Sequence, residues 1–167
     1  MGRLQSLAGL LAAAGLLMIA SANAFASDLK FTGASGATIR FSGTPAVRCV
    51  PWEPGADARI LQVQLRNANR SWELRAVLAD VAAGQRIHFP TSIVDAHPHG
   101  ALLFVAQRRP LIEASTNEEE ASGWLSFSQA SCLRGATVAF TVHAVLGSEL
   151  FEGRKVRVDG TFTGTVG

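Results

Sequence analysis

Residues 61–66 read Leu61-Gln62-Val63-Gln64-Leu65-Arg66, a stretch in which apolar and polar side chains alternate without interruption. Successive side chains of a β-strand point to opposite faces, so this alternation predicts a strand with one buried and one solvated face. The same pattern recurs in three other segments of the chain, at residues 38–42, 136–146 and 156–166. Its repetition in so short a chain predicts an all-β fold.

Turn-forming residues separate further apolar segments and complete the predicted sheet structure. A turn containing two asparagines joins segments 58–66 and 71–79 into a predicted hairpin. The composition of segment 71–79 also suits a helix, and we predict a strand that closes with a short helical turn at 79–83. The remaining predicted strands are 85–89, 100–107, 110–114 and 122–130. About nine short strands separated by turns predict an antiparallel β-sandwich, immunoglobulin-like or jelly-roll-like, or a partly open barrel.

The first 26 residues have the three parts of a secretory signal peptide. A short basic start precedes an apolar stretch at 7–20, which ends in the small-residue exit Ala24-Phe25-Ala26. This exit predicts cleavage before Ser27, and a similar exit two residues upstream is the alternative cleavage site. An uncleaved membrane anchor is the other interpretation of the apolar stretch. We expect residues 1–26 to be removed and residues 27–167 to form a single β-sandwich domain.

The charge balance argues against a nucleic-acid partner. The sequence has 15 basic and 13 acidic residues, and one of the basic residues, Arg3, leaves with the predicted signal peptide. The mature domain is therefore close to neutral, whereas nucleic-acid binding depends on a surplus of positive charge. Only Lys30 and Lys155 are lysines, and this bias toward arginine suggests a GC-rich bacterial genome. We expect a periplasmic or secreted protein without a membrane anchor after signal cleavage.

Cys49 and Cys132 are the only cysteines of the chain. In an exported protein, two thiols pair by default because the compartment is oxidising. Neither cysteine belongs to a Cys-x-x-Cys redox motif. The sequence therefore predicts one structural disulfide.

A loop rich in histidine carries the clearest candidate for a ligand site. Asp95, His97 and His99 stand at every second position, so an extended backbone places all three side chains on one side of the chain. Two neutral imidazoles and a carboxylate are ordinary ligands for Zn²⁺ or Cu²⁺. His88 is a further candidate ligand, and Pro98 limits the freedom of the loop. The alternative interpretation is a solvated loop whose histidines bind nothing.

Two strand residues and one loop are weaker candidates. His143 lies opposite the apolar face of its strand, where it either meets solvent or bonds to a neighbouring strand. Trp124 is opposite in parity to Leu125 and Phe127, so its indole is either a surface anchor for a partner or covered on both faces. The run 118–120 consists of three glutamates, which either bind Ca²⁺ or form a solvated loop tip.

No local motif in the chain indicates catalysis. The patterns Gly-x-Ser-x-Gly and His-Glu-x-x-His are missing from the sequence. A Ser, His and Asp set could still assemble in space, because triads depend on geometry and not on order. The sequence therefore predicts no catalytic residue, and a hydrolase is left as a third hypothesis.

The start of the mature chain resembles the opening strand of chaperone–usher pilus subunits. The resemblance rests on Phe31-Thr32-Gly33, on the segment 39–43 and on the early Cys49. The region from Phe127 to Cys132 is similar to the second cysteine region of that family. The cysteines here are farther apart than in that family, and the chain has no tyrosine for its near-terminal position. The resemblance implies a structural role in a surface assembly and assigns no functional residue.

Taken together, these features predict an exported, non-catalytic β-sandwich with a binding or envelope-assembly role. The sequence does not identify the partner, which is either a protein or a small molecule. A periplasmic metal-binding protein that uses the loop of His97 and His99 is the first alternative. A structural protein like a pilus subunit is the second.

Overall fold

The computed structural model describes residues 26–33, 36, 38–40, 45–53, 55, 57–66, 68–81, 84–91, 100–108, 111–148 and 155–167. These residues form twelve strands and one short 3₁₀ turn, Leu78–Asp80. The strands are β1 Ala26–Ser27, β2 Lys30–Thr32, β3 Thr38–Arg40, β4 Ala46–Pro51, β5 Arg59–Arg66, β6 Arg70–Val77, β7 Arg86–Phe89, β8 Ala101–Arg108, β9 Leu111–Ser115, β10 Ser122–Gln129, β11 Thr137–Leu146 and β12 Val156–Thr165.

The strands form two antiparallel sheets that pack face to face. The larger sheet has the order β3-β2-β12-β11-β10-β7, and β1 also pairs with β12. The smaller sheet has the order β4-β5-β6-β8-β9. A single bridge between Ser115 and Gly147 joins the two sheets at one corner. The predicted β-sandwich is confirmed, and the described strands do not close into a barrel.

The core lies between the inward faces of the two sheets. Trp72 of the smaller sheet is fully buried, and its ring contacts Phe31 and Phe140 of the larger sheet at centroid distances of 6.2 and 6.1 Å. The apolar residues of the opening motif, Leu61, Val63 and Leu65, are also at most 2% exposed. The alternation of β5 therefore buries one face, as its sequence predicts, but the opposite face is not solvated throughout, because Gln62 there is 5% exposed.

The predicted hairpin between β5 and β6 is confirmed, with Leu65 opposite Trp72. Its second strand is shorter than predicted, because β6 ends at Val77 and the 3₁₀ turn follows at once instead of at 79–83. Val77 is 4% exposed although it lies on the outer face of its sheet. It packs there in a small apolar cluster with Val50, Trp52, Ile60 and Leu102. This second cluster is the reason that the apolar alternation breaks at Val77.

Strands β1, β2 and β4 were not among the strands predicted from alternation. Within β4, Val47 is buried while Ala46 and Arg48 are exposed, but Cys49 and Val50 are both half-buried and blur the pattern. The described part of β3 ends at Arg40, and the predicted continuation to 42 lies outside the described residues.

The predicted disulfide is confirmed and connects the two sheets. Cys49 lies on β4, an edge strand of the smaller sheet, and Cys132 lies in the connection between β10 and β11 of the larger sheet. Their Cα atoms are 5.5 Å apart, and 83 positions separate them in the sequence. The backbone amide of Gly167 donates a hydrogen bond to the Val47 carbonyl beside this link. The C-terminal residue is thereby tied to the same edge.

Candidate functional site

One row of residues crosses the outer face of the larger sheet from strand to strand. Trp124 of β10 is in register with His88 of β7 on one side and with His143 of β11 on the other. His143 is in register with Asp159 of β12, which in turn faces Lys30 of β2. We call these five residues the Trp124 row. Antiparallel pairing therefore brings together residues that are far apart in the sequence.

The side chains of this row lie on the solvent side of the sheet because their chain neighbours point inward. Leu125 and Phe127 point to the opposite face of β10 from Trp124, and both are at most 1% exposed. His143 lies between Val142 and Ala144, which are buried in the core. The predicted orientations of Trp124 and His143 are confirmed.

A chain of side-chain contacts runs from Arg86, two positions before His88 on β7, into the centre of the row. The guanidinium carbon of Arg86 lies 4.2 Å from the centroid of the Trp124 ring, a cation–π distance. The His143 ring lies 4.7 Å from the same indole, tilted by 54°. The Nδ1 atom of His143 lies 2.9 Å from the Oδ1 atom of Asp159. Trp124 therefore contacts a side chain on each side.

The bond to Asp159 also fixes the hydrogen position on His143. An ionised carboxylate is only an acceptor, so Nδ1 must carry the hydrogen and donate it. The other ring nitrogen, Nε2, then keeps its hydrogen-bonding capacity for another group. The side chains of His143 and Asp159 are 49% and 39% exposed, so the pair is accessible from solvent. This accessible pair beside an indole is the chemically richest feature of the described surface.

A polar groove adjoins the row. It has a volume of about 680 Å³, and a smaller hollow of about 160 Å³ at its edge reaches His143. The groove combines hydroxyl groups with charges of both signs, and Lys155 and Glu120 lie 3.3 Å apart within it. Its lining residues are Thr32, Gly33, Glu120, Ser122, Val145, Lys155, Arg157 and Asp159. A ligand in this groove would meet hydroxyl, carboxylate and cationic groups.

Gly123 shapes the hollow beside His143. Its φ is +108°, and a Cβ atom at this position would collide with the carbonyl oxygen of His143 on the neighbouring strand. Glycine is the residue that tolerates both this backbone conformation and this close approach. Replacement of Gly123 would therefore push β10 and β11 apart at the centre of the candidate site.

The structure describes the two residues that flank the segment of the predicted metal ligands. Asp95, His97 and His99 lie outside the described residues, so the metal site stays a prediction. At the two ends of the segment, Thr91 packs closely against Gly100, whose amide donates a 2.7 Å hydrogen bond to Asp80. Among the described residues, no three His, Cys, Asp or Glu side chains cluster in a way that could hold a metal ion.

The other candidates from the sequence are placed as follows. His88 is exposed on β7 in the Trp124 row, next to Phe89 and just before the histidine loop. In the acidic run, the Glu118 carboxylate lies 3.4 Å from the Ser115 hydroxyl, and Glu120 pairs with Lys155. Glu120 thus belongs to the polar groove, a role for which its sequence gave no signal.

Sequence reasoning did not nominate Arg86, Asp159 or Arg157. Each stands at an outward position of a predicted strand, which is a weak signal because most such residues are only solvated. The contact of Arg86 with Trp124 and that of Asp159 with His143 depend on which strands are neighbours and on their register. Neither property can be read from one sequence in advance.

Comparison of the chain with protein-family models, with curated proteins and with solved structures gives no match. Across the part of the chain that the structure describes, no helix has the length and apolar character needed to cross a bilayer.

Proposed function

We propose that this protein is an exported, non-catalytic β-sandwich that binds a partner through the outer face of its larger sheet. The observation that carries the proposal is the contact chain from Arg86 through Trp124 and His143 to Asp159, at the edge of a groove of about 680 Å³. A half-buried indole flanked by polar groups is a common anchor of binding surfaces.

The exposure of the row favours binding over catalysis. Catalytic acid–base pairs gain their strength in sites that exclude water and lower the local dielectric. His143 and Asp159 lie on an open sheet surface, with 49% and 39% of their side chains exposed. Such a pair is well suited to offer hydrogen bonds to a polar partner. The predicted export signal and the disulfide support a role outside the cytoplasm, in binding or in envelope assembly.

Site-specific photocrosslinking in the producing cell tests this proposal. A photoreactive phenylalanine analogue replaces Ser122 in the full chain, and the matched control carries it at Leu133. Ser122 is exposed and lines the groove, so the Trp124 row stays intact. Leu133 is a suitable control because it is apolar and 75% exposed but lies outside the row. We expect a discrete adduct from position 122 that Asp159→Asn weakens. Identical adducts from both positions, or none from position 122, would overturn the proposal.

We keep metal binding by Asp95, His97 and His99, with His88, as a second candidate function. The close packing of Thr91 on Gly100 and the bond from Gly100 to Asp80 favour it, because a loop with anchored ends loses less entropy when it closes on an ion. Calorimetry with Zn²⁺ and Cu²⁺ should give a saturable heat that disappears in the His97→Ala/His99→Ala variant. His143→Ala is the control, and equal weak binding by all three proteins would exclude the site.

A further inference from the structure

The larger sheet ends on one side in a strand with a free edge. Strand β7 stands last in the order of this sheet, and β10 is its only neighbour among the described strands. Its outward side chains, Arg86 and His88, are both exposed. His88 belongs to the Trp124 row and Arg86 contacts the indole, so this edge adjoins the surface of the proposed function.

The direction of the backbone groups on this edge follows from the pairing of β10. The amide of Gly84 donates a 2.9 Å hydrogen bond to the Phe127 carbonyl, so Phe127 directs its backbone groups toward β7. Bonded positions alternate along an antiparallel strand, so Leu125, which lies opposite Ile87, points the same way. Ile87 therefore bonds to β10, and the residue on either side of it directs its N–H and C=O groups away from the sheet.

Contacts within the chain occupy backbone groups on other edges of the sandwich. On β4, the Val47 carbonyl accepts a hydrogen bond from the amide of Gly167. On β9, Ser115 exchanges two hydrogen bonds across the bridge that joins the two sheets. Within the described ranges, no backbone group pairs with the outward side of Arg86 and His88. Strand β7 therefore keeps the backbone groups that a further strand needs.

The outer face beside this edge is positive. Arg86 carries a charge there, and neither β7 nor β10 contains an acidic residue. The His88 ring can donate a hydrogen bond to a carboxylate in either of its protonation states. Opposite charges on neighbouring strands stabilise the pair, whereas like charges destabilise it. An added strand is therefore favoured by acidic side chains on its outer face, and a second copy of β7 would instead bring Arg86 beside the same positive surface.

The inner face of the edge favours apolar side chains. Phe89 is 7% exposed, whereas Ile87 is only half-buried where it packs against the core. Side chains alternate between the faces of a strand, so a strand beside β7 would place every second side chain on the side of Ile87. An apolar side chain there would extend the core and remove more of Ile87 from water.

We infer that the free edge of β7 binds an extended segment of a partner protein in which acidic and apolar side chains alternate. The added strand forms main-chain hydrogen bonds with Arg86 and His88, and its side chains meet the positive outer face and Ile87 in turn. The charge of Arg86 disfavours strands with basic side chains, so the edge is selective. The inference rests on the proposed function, because it names the chemical class of the partner.

A peptide titration tests strand addition directly. The probe is an acetylated peptide of about eight residues, an ordinary strand length, in which valine and glutamate alternate. The comparison peptide alternates valine and lysine. ¹H–¹⁵N NMR of the mature chain follows the backbone amide of Arg86 during each titration. We expect a saturable shift and slower hydrogen exchange of this amide with the glutamate peptide only, because a hydrogen-bonded amide is protected.

Two substitutions of His88 separate the backbone from the side chain. His88→Pro removes the outward N–H and is compatible with an edge strand, because that N–H takes no part in the pairing with β10. His88→Ala keeps the N–H and removes the imidazole. We expect the first to weaken the affinity for the glutamate peptide by about tenfold or more and the second by about two- to fivefold. Thermal melts verify folding, and Arg86→Glu, which should reverse the preference between the peptides, tests the inference without proline.

Three results of the titration would overturn the inference. The first is an equal response to both peptides, and the second is equal affinity of the two His88 variants. The third is slower exchange at Glu113 of the β9 edge in place of Arg86. Slower exchange of Arg86 with rising protein concentration alone would assign the edge to a second copy, which also overturns it.

Photocrosslinking from position 122 distinguishes a failure of this inference from a failure of the proposed function. We expect the adduct to weaken when His88→Pro is added. An adduct of undiminished yield would overturn strand addition and leave the proposed function intact. Absence of the adduct in the chain without His88→Pro would contradict the proposed function, and the peptide titration would still decide whether the edge binds.

Discussion

The outer faces of the two sheets use charged residues in opposite ways. On the smaller sheet, the Glu73 side chain is 14% exposed and accepts hydrogen bonds from Gln62, Gln64 and Arg75. On the larger sheet, Asp159 is 39% exposed, and its hydrogen bond to His143 is open to solvent. One carboxylate is enclosed by its partners, and the other is displayed.

The difference shows which polar groups serve structure and which are available to a partner. Burial by itself raises the pKa of Glu73, but the hydrogen bonds from Arg75, Gln62 and Gln64 and the charge of Arg75 outweigh it and hold the pKa below its ordinary value. Because the Glu73 carboxylate already accepts this many hydrogen bonds, it has little capacity left for a ligand. His143, with one ring nitrogen bonded to Asp159, keeps the other for a partner.

The largest expected effect concerns the disulfide between Cys49 and Cys132, which connects the two sheets. The Cys49→Ser/Cys132→Ser variant should lose up to about 4 to 5 kcal/mol of unfolding free energy, because the 83-residue separation makes the unfolded loop large. Denaturant melts measure the loss. Hydrogen exchange of β5 and β11 amides should show both sheets losing protection together. If one sheet kept its protection, the two faces would belong to separate cooperative units.

The next largest effect concerns the enclosed carboxylate, Glu73. Glu73→Gln should reduce the unfolding free energy by about 1 to 3 kcal/mol, because it removes the charged acceptor of a partly buried network. Glu113→Gln, which removes a carboxylate from β9 of the same sheet, is the control and should change stability by less than about 0.5 kcal/mol. Equal effects of the two substitutions would mean that the Glu73 network contributes nothing specific.

The same network makes a pH-dependent contribution with a defined sign. The folded-state pKa of Glu73 is lowered, so its stabilising effect is complete above the unfolded-state value of about 4.3 and is lost as the pH falls through the lower folded value. The stability difference between the wild type and Glu73→Gln should therefore be constant near neutral pH and shrink below about pH 4.3. A difference that grew on acidification would contradict the assigned direction.

The smallest expected effect is on the displayed pair. His143→Ala and Asp159→Asn should each change the unfolding free energy by less than about 1 kcal/mol, because exposed ion pairs contribute little to stability. They should instead alter the environment of Trp124, which the fluorescence emission of the folded protein reports. A large loss of stability in either variant would place this pair with Glu73 as part of the structure.

Much of the fold could be predicted from the sequence. The alternating segments of β5, β11 and β12, the hairpin and the disulfide all follow from local patterns and from the pairing of two thiols. The prediction of strands from alternation fails where a strand does not have one buried and one solvent-exposed face. Val77 is buried on the outer face of its sheet, and the half-buried Cys49 and Val50 obscure β4.

The candidate site could be predicted only in fragments. Trp124 and His143 were recognised separately as outward residues, whereas Arg86 and Asp159 had only the weak signal of an outward position on a predicted strand. The pairing of Trp124 with His143 depends on the register between β10 and β11, which a bulge between Phe127 and Gln129 shifts by one residue along the pair. A change of one position in that register would move every contact of the row.

The sequence by itself determined the alternating pattern of the strands, the two cysteines that pair, the near-neutral charge and the faces on which Trp124 and His143 lie. These are local properties, because the side-chain period of a strand and the chemistry of a thiol do not depend on distant residues. The tertiary structure alone decided the row and the polar groove. Each of them joins residues from strands distant in the sequence, and only the order and register of the sheets brings such residues into contact.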